Sequence, residues 1–197
     1  LPKIIPKLYR YQFDPTPKIQ QSMSSIWSAL VPETSKTIDK YLPEIMYEIQ
    51  TNLTNNQWRV RESCCAALQD VLRGRTLDSA LDTLPMLWTD LFRVMDDIKE
   101  SVRVCATKTV SALSRTCIKM CDVSQGAKAS EKAIQAILPP LLEKGLPSNV
   151  SEVRIIAIQT LMKITRNAGV LKPHLASLIP ALLEATGELE GKDVNYL

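Results

Sequence analysis

The chain has 197 residues, 45% hydrophobic and 23% charged, with 24 Lys and Arg against 21 Asp and Glu for a formal charge of +3. A balance this close to neutral, with signs alternating along the chain, speaks against a nucleic-acid surface and against a membrane surface. Only six glycines and 5% aromatics favour helices over sheets, and no apolar run approaches the roughly 18 residues that span a bilayer.

No signal-peptide pattern opens the chain, and the start at LPKIIPKLYR, already inside an apolar periodic segment, suggests a piece of a longer protein. Five cysteines, Cys64, Cys65, Cys105, Cys117 and Cys121, are odd in number and lie in apolar helical stretches. That usage suits reduced thiols in the cytosol or nucleus, where the sequons at Asn52 and Asn149 go unused.

Five segments in chain order share a Leu/Ile-Pro start and one apolar spacing: LPKIIPKL (1–8), LPEIMYEI (42–49), LPMLWTDL (84–91), LPPLLEKG (138–145) and IPALLEAT (179–186). Leu42, Ile45, Met46 and Ile49 fall at i, i+3, i+4 and i+7, one face of a helix. Leu84, Leu87, Trp88 and Leu91 repeat the pattern, as do Leu1, Ile4, Ile5 and Leu8. The prolines Pro2, Pro43, Pro85, Pro139 and Pro180 are 41, 42, 54 and 41 residues apart. Helical pattern already precedes them in SKTIDKYLP and LDSALDTLP, which predicts a first helix bent by an internal proline.

A second helix follows each of the first four segments. Gln20, Arg61 and Arg103 stand eighteen residues after their prolines, and Arg154 fifteen after Pro139, which predicts a shorter first helix or turn in the fourth unit. From this column an i, i+4, i+7 stripe runs through Met23, Trp27 and Leu30; Cys64, Leu68 and Val71; Ala106, Val110 and Leu113; and Ala157, Leu161 and Ile164. Paired amphipathic helices at a period near 42 are the signature of HEAT or armadillo arrays, and bent first helices favour HEAT: the expectation is an all-α HEAT-repeat α-solenoid, a right-handed superhelix of antiparallel helix pairs. The expected units are repeat 1 at 1–31, repeat 2 at 33–73, repeat 3 at 77–120, a long inter-repeat loop at 121–130, repeat 4 at 131–168 and the start of repeat 5 at 173–197.

The segment VMDDIKESVRVCATKTVSAL (94–113) has the look of a catalytic cluster, crowding Asp96, Asp97 and Glu100 beside Arg103 and Cys105. Its pattern recurs, however. Six residues before each column position stands Asp14, Asn55, Asp97 or Ser148, turn and cap residue types placed where the second helix begins. An Asp there can accept backbone N–H bonds and meet an Arg of a neighbouring repeat. The expectation is a structural ladder of Asp14, Asn55, Arg61, Asp97, Arg103 and Arg154, with Asp97 and Arg103 the one full rung and Gln20, Asn55 and Ser148 departing from the pattern and interrupting it. A repeating column offers no pocket that would favour acid–base chemistry.

The remaining candidates each have a plainer reading. Cys117 and Cys121 share a helix side but are two ligands, not four, and nothing places the lone His174 beside them, so packing is expected and no metal. Adjacent Cys64 and Cys65 point to different sides of their helix, with no His nearby to activate either. No phosphate loop, H-E-x-x-H or G-x-S-x-G motif occurs, so no catalytic residues, cofactor or enzymatic activity are expected. Arg59, Arg61, Arg73 and Arg75 with Trp58 form the densest basic-aromatic patch, but Glu62 and Asp70 interrupt it, and a solvated face is favoured over nucleic-acid binding. Tyr9, Tyr11 and Phe13 suit either an interaction hot spot or the packing of a helix end.

The segments LYRYQFDPTPKIQQSMSSIWSAL, WRVRESCCAALQDVLRGR, FRVMDDIKESVR, NAGVLKPHLASLIPALLE and LEGKDVNYL resemble the proteasome adaptor and scaffold family, very large HEAT-repeat proteins of the cytoplasm and nucleus, and the resemblance runs through the whole chain. It implies an internal or C-terminal segment of a non-enzymatic scaffold. Such a scaffold contacts the proteasome core and regulatory particles, steadies their association and links proteasomes to membranes and motors. It assigns no binding residue to this segment. Without it, a HEAT-repeat nucleic-acid-binding domain, or a transport-receptor or phosphatase-type scaffold solenoid, would also fit a helical array.

Overall fold

A proline in the first turn of a helix removes an N–H that has no intrahelical partner, so it starts a helix at no hydrogen-bond cost. The computed structural model, which describes residues 3–165, 174–176 and 178–184, uses Pro6, Pro17, Pro43 and Pro85 in this way. Nine α-helices are defined within residues 3–165: α1 (Ile5–Tyr11), α2 (Pro17–Leu30), α3 (Thr34–Lys40), α4 (Leu42–Asn52), α5 (Trp58–Val71), α6 (Leu84–Met95), α7 (Glu100–Met120), α8 (Ala127–Pro140) and α9 (Ser151–Ile164); residues 178–184 are helical as well. No strand occurs among the described residues. The chain is an all-α stack of helix pairs of the HEAT type.

Two expectations about the first helices are corrected. The helical pattern before Pro43 is a separate helix, α3, broken from α4 at Tyr41 (φ −109°, ψ 20°), and the pattern before Pro85 is a 3-10 stretch, Asp78–Thr83. Proline therefore begins these helices and does not bend them. In the fourth unit Pro139 and Pro140 do lie inside a helix. Two successive missing donors widen it into a π turn, Leu141–Gly145, closed by Leu146 N–H to Leu141 O at 2.9 Å.

The long loop expected at 121–130 is also corrected. A 3-10 turn at Val123–Gln125 and Gly126 at φ +102° reverse the chain, and α8 begins at Ala127. The stretched interval is absorbed mostly by helix: α7 has 21 residues against 14 in α2, α5 and α9. Its additional length stays helical because Thr116, Cys117 and Met120 continue the buried face.

In the stack α1 lies on α4, α6 on α8, α5 on α7 and α7 on α9. The column stripes of α5, α7 and α9 are buried throughout, from Cys64, Leu68 and Val71 to Ala157, Leu161 and Ile164. The first unit departs from this pattern. Its Leu30 is 59% exposed, because α2 rests on α1 and scarcely meets α5, so the face that Leu30 presents has no second helix to cover it. Ile4 of the first stripe is likewise exposed, while Ile5 and Leu8 are buried. Leu1 and most of the expected fifth unit lie outside the described residues; within 178–184, Leu178 is buried and Ile179 and Leu183 are exposed.

α5 and α7 make the most extensive helix contact. Short side chains stand at it: Cys65 and Thr109 are fully buried and Cys105 half-buried. Thr109 Oγ1 donates across the interface to Cys65 O at 2.8 Å. A similar polar clasp joins α7 to α9, where Ser114 Oγ and Thr160 Oγ1 are 2.6 Å apart. Around the π turn, a Cβ on Gly145 would stand 2.6 Å from Ala157 Cβ and 3.3 Å from the Phe92 ring, so glycine is what lets the turn close on α9.

Leu68→Ala or Leu161→Ala is expected to cost about 2–5 kcal/mol in urea melts, through lost burial and the cavity left behind. Gly145→Ala, which forces α9 and Phe92 outward, is expected to cost about 1–3 kcal/mol. Exposed Lys128→Ala should leave the midpoint unchanged.

Candidate functional site

Each turn between paired helices leaves backbone groups to be satisfied, and one device recurs in all four units. The side chain six residues before the column accepts the N–H two residues on: Asp14 from Thr16 at 2.8 Å, Asn55 from Gln57 at 3.0 Å, Asp97 from Lys99 at 2.8 Å and Ser148 from Val150 at 3.2 Å. The column arginine then closes the turn from the other side. Arg61 Nη1 donates to Asn55 O (2.7 Å), Arg103 Nη1 to Asp97 O (2.7 Å) and Arg154 Nη1 to Ser148 O (2.6 Å). Gln20, in the first unit, is the column position without a guanidinium.

The rung between repeats differs from the one expected. The Asp97 carboxylate pairs with Arg61 of the preceding repeat, Nε to Oδ2 at 2.5 Å and Nη2 to Oδ1 at 2.9 Å, a two-pronged contact with both side chains largely buried. Arg103 meets Asp97 only through the backbone carbonyl. The next rung has no carboxylate, because Ser148 stands in that place. Asp14 is bound from the opposite direction, by Arg59 of the following repeat at 3.0 Å. Arg59 lies two residues before the column, an offset that the periodicity does not mark.

Burial raises the Asp97 carboxyl, but the Arg61 guanidinium and the Lys99 N–H outweigh it and hold the group below the usual carboxylate range. Asp14 is held low in the same sense, by the Thr16 N–H and Arg59 against burial. Two carboxylates kept ionised by fixed partners serve poorly as proton donors or acceptors near neutral pH. Within 94–113, Asp97 thus holds the helix turn and the neighbouring repeat.

The basic-aromatic patch is dispersed in the same way. Arg59 and Arg61 pair with Asp14 and Asp97, Arg73 approaches Asp70 at 3.7 Å, and Arg75 meets Asp39 at 2.7 Å. Trp58 takes the Lys99 ammonium over its ring at 5.0 Å. In YRYQF, Tyr9 is buried, packs its ring on Phe13 and Trp27 at 5.4 and 5.5 Å, and donates to Asp70 at 2.7 Å. Tyr11 stays exposed beneath the Arg10 guanidinium. Cys117 and Cys121 are buried at the end of α7, where burial pushes the Cys121 thiol up to about 12. No group of three or more metal-ligating side chains occurs among the described residues. None of their helices is long and apolar enough to cross a membrane.

What remains open to a partner is surface. A groove of about 420 Å³ separates the turns at Asn55–Asn56 and Asp96–Ile98, with Arg61, Arg93 and Asp97 in its wall and Ile98, 96% exposed, at its edge. A second, of about 530 Å³, lies between α1 and α4 and is lined by Pro6, Pro43 and Tyr47 with Lys7 and Glu48. On the second helices Val104 and Ile155, each one residue past the column arginine, are exposed, as is Met162.

No protein-family model matches the chain. It is 56% identical over 198 residues to the proteasome adapter and scaffold protein ECM29 of Homo sapiens, covering 100% of the chain. The chain is homologous, end to end, to one segment of the ECM29 proteins. It is 41% identical to the proteasome-associated protein ECM29 homolog of Drosophila melanogaster over its whole length. It is also 37% identical to the proteasome component ECM29 of Saccharomyces cerevisiae over 99% of its length. The chain spans only 11–12% of the length of these ECM29 relatives.

Loss of Arg61 leaves both a turn and a buried Asp97 carboxylate without their partner, whereas loss of Arg103 opens only a turn. Arg61→Ala is therefore expected to cost about 1–3 kcal/mol, and more than Arg103→Ala, in urea melts. The depressed carboxyls of Asp14 and Asp97 add stability that is complete above their unfolded value of about 3.9 and is lost as pH falls through the lower, folded value. Asp97→Asn should lower the midpoint at neutral pH and flatten its decline on acidification.

Proposed function

We propose that this chain is a non-enzymatic, protein-binding scaffold segment of a proteasome adapter. The observation that carries the reading is 56% identity to the human proteasome adapter and scaffold protein along the entire chain. The charge pairing agrees with it: candidate catalytic and nucleic-acid-binding side chains are engaged in holding helix turns and neighbouring repeats together. In this reading the full-length protein bridges or stabilises the proteasome core and regulatory particles, works in the cytoplasm and nucleus, and reaches endomembranes through partners. This segment contributes length, curvature and exposed apolar side chains such as Ile98, Val104 and Ile155 to a surface spread over many repeats.

The test is a graft. This chain replaces the matching segment of the human relative, and the chimera is assayed for co-purification with proteasomes and for lysine crosslinks to proteasome subunits. Retention at the parental level, with crosslinks from lysines such as Lys99, Lys108 or Lys119, is the expected result. A folded chimera that no longer co-purifies would overturn the proposal. In the same assay Arg103→Ala should weaken retention only in proportion to the lost stability, read by amide exchange across repeats two to four. Complete loss with unchanged exchange would make Arg103 a contact residue.

A further inference from the structure

The junction where α5 lies along α7 holds two thiols from successive repeats. Cys65, on α5, is fully buried, and Cys105, on α7, is half-buried. Thr109 Oγ1 lies 2.8 Å from the carbonyl oxygen of Cys65 and 2.9 Å from that of Cys105, which ties the two backbones to one hydroxyl. Cys105 Sγ is 3.7 Å from Glu62 O, in the turn of α5 just before Cys65, and the two thiols hydrogen-bond to each other. These contacts place the two thiols side by side across the most extensive helix contact of the stack. The other cysteines are arranged differently: Cys64 lies by the Arg10–Glu48 pair, and Cys117 is on α7 with Cys121 at its C-terminal cap.

We propose that Cys65 and Cys105 form an oxidisable pair which a peroxide converts into a disulfide linking the second and third helix pairs. The two sulfurs have different parts. The hydrogen bond from Cys65 draws the Cys105 thiol below the ordinary thiol value, against the opposing effects of burial and Glu62. The same contact, with burial, pushes Cys65 well above it. Cys105 is thus both the more readily ionised thiol and the one that solvent reaches.

With hydrogen peroxide, the Cys105 thiolate attacks one oxygen and the O–O bond breaks. The departing hydroxide takes up a proton as water, leaving a sulfenic acid on Cys105. The Cys65 sulfur then attacks the Cys105 sulfur, the S–O bond breaks, and the leaving hydroxide takes the Cys65 proton as a second water. Each sulfur gives up one electron and the peroxide accepts two. The new bond spans 40 residues of sequence, from 65 to 105, and constrains the unfolded chain, so the oxidised form should melt at a higher temperature than the reduced one.

The experiment uses the full chain, reduced, exposed to hydrogen peroxide, alkylated with iodoacetamide and digested with trypsin without reduction. Cleavage after Arg61, Arg73, Arg103 and Lys108 yields peptides 62–73 and 104–108. The expected product is these two peptides joined through Cys65, appearing with oxidation and lost on treatment with dithiothreitol. Cys64→Ser should retain the linked species, while Cys105→Ser and Cys65→Ser should abolish both it and the rise in melting temperature. Oxidation of Cys105 to sulfinic or sulfonic acid with no linked peptide would overturn the proposal, as would recovery of both cysteines alkylated. Because the wild-type peptide map decides the matter, the result stands even if a serine variant folds poorly.

Discussion

A tight turn between two packed helices exposes carbonyl oxygens at a place where the next repeat excludes much of the water, and the stack depends on satisfying them. A guanidinium suits this because its five donors diverge in one plane. Arg61 uses Nη1 on the carbonyls of Asn55 and Asn56 and turns Nε and Nη2 to the Asp97 carboxylate of the next unit. A lysine could make one of these contacts but not the fork. The side chain at the turn supplies the complementary half by accepting an N–H, and Asp, Asn and Ser can all do so. This interchangeability explains why that position varies along the chain while arginine stands in three of the four column positions.

The helix pairs were legible in the sequence because they rest on periodicity: burial of Leu68, Val110 and Leu161 follows from an apolar residue four positions after the first buried one. Features that depend on neighbours were less visible. Leu30 has the spacing of a core residue yet is exposed, since spacing cannot report that α2 lacks a covering helix. The turn residues Asp14, Asn55, Asp97 and Ser148 could be aligned from sequence, but which arginine reaches Asp97 is a question of stagger between repeats. It falls to the preceding unit. The region at 121–130, polar and containing Gly126, carries the composition of a loop, but the buried face of α7 extends helix almost to that glycine.

The α5–α7 interface shows how residue size sets chemistry. Cys65, Cys105 and Thr109 are short enough for two helices to approach closely, and that approach brings hydroxyl, carbonyl and thiol groups of different repeats into contact. Neither cysteine is remarkable alone, and their separation along the chain conceals their proximity. Larger residues on the same faces would preserve the hydrophobic pattern but hold the sulfurs apart.

Sharing Arg61 between two units has a consequence for how the stack comes apart. If the third unit opens, Asp97 leaves and a guanidinium that still closes the Asn55 turn loses its counter-charge; if the second opens, Asp97 is left buried and alone. Nearest-neighbour coupling of this kind makes the two units one cooperative block. Between the third and fourth units Ser148 stands in place of the acid, and the junction relies on α7 against α9 and the Ser114–Thr160 contact. Opening that begins at the fourth unit can therefore halt at Arg103, which keeps its own turn closed with no debt to the repeat beyond it.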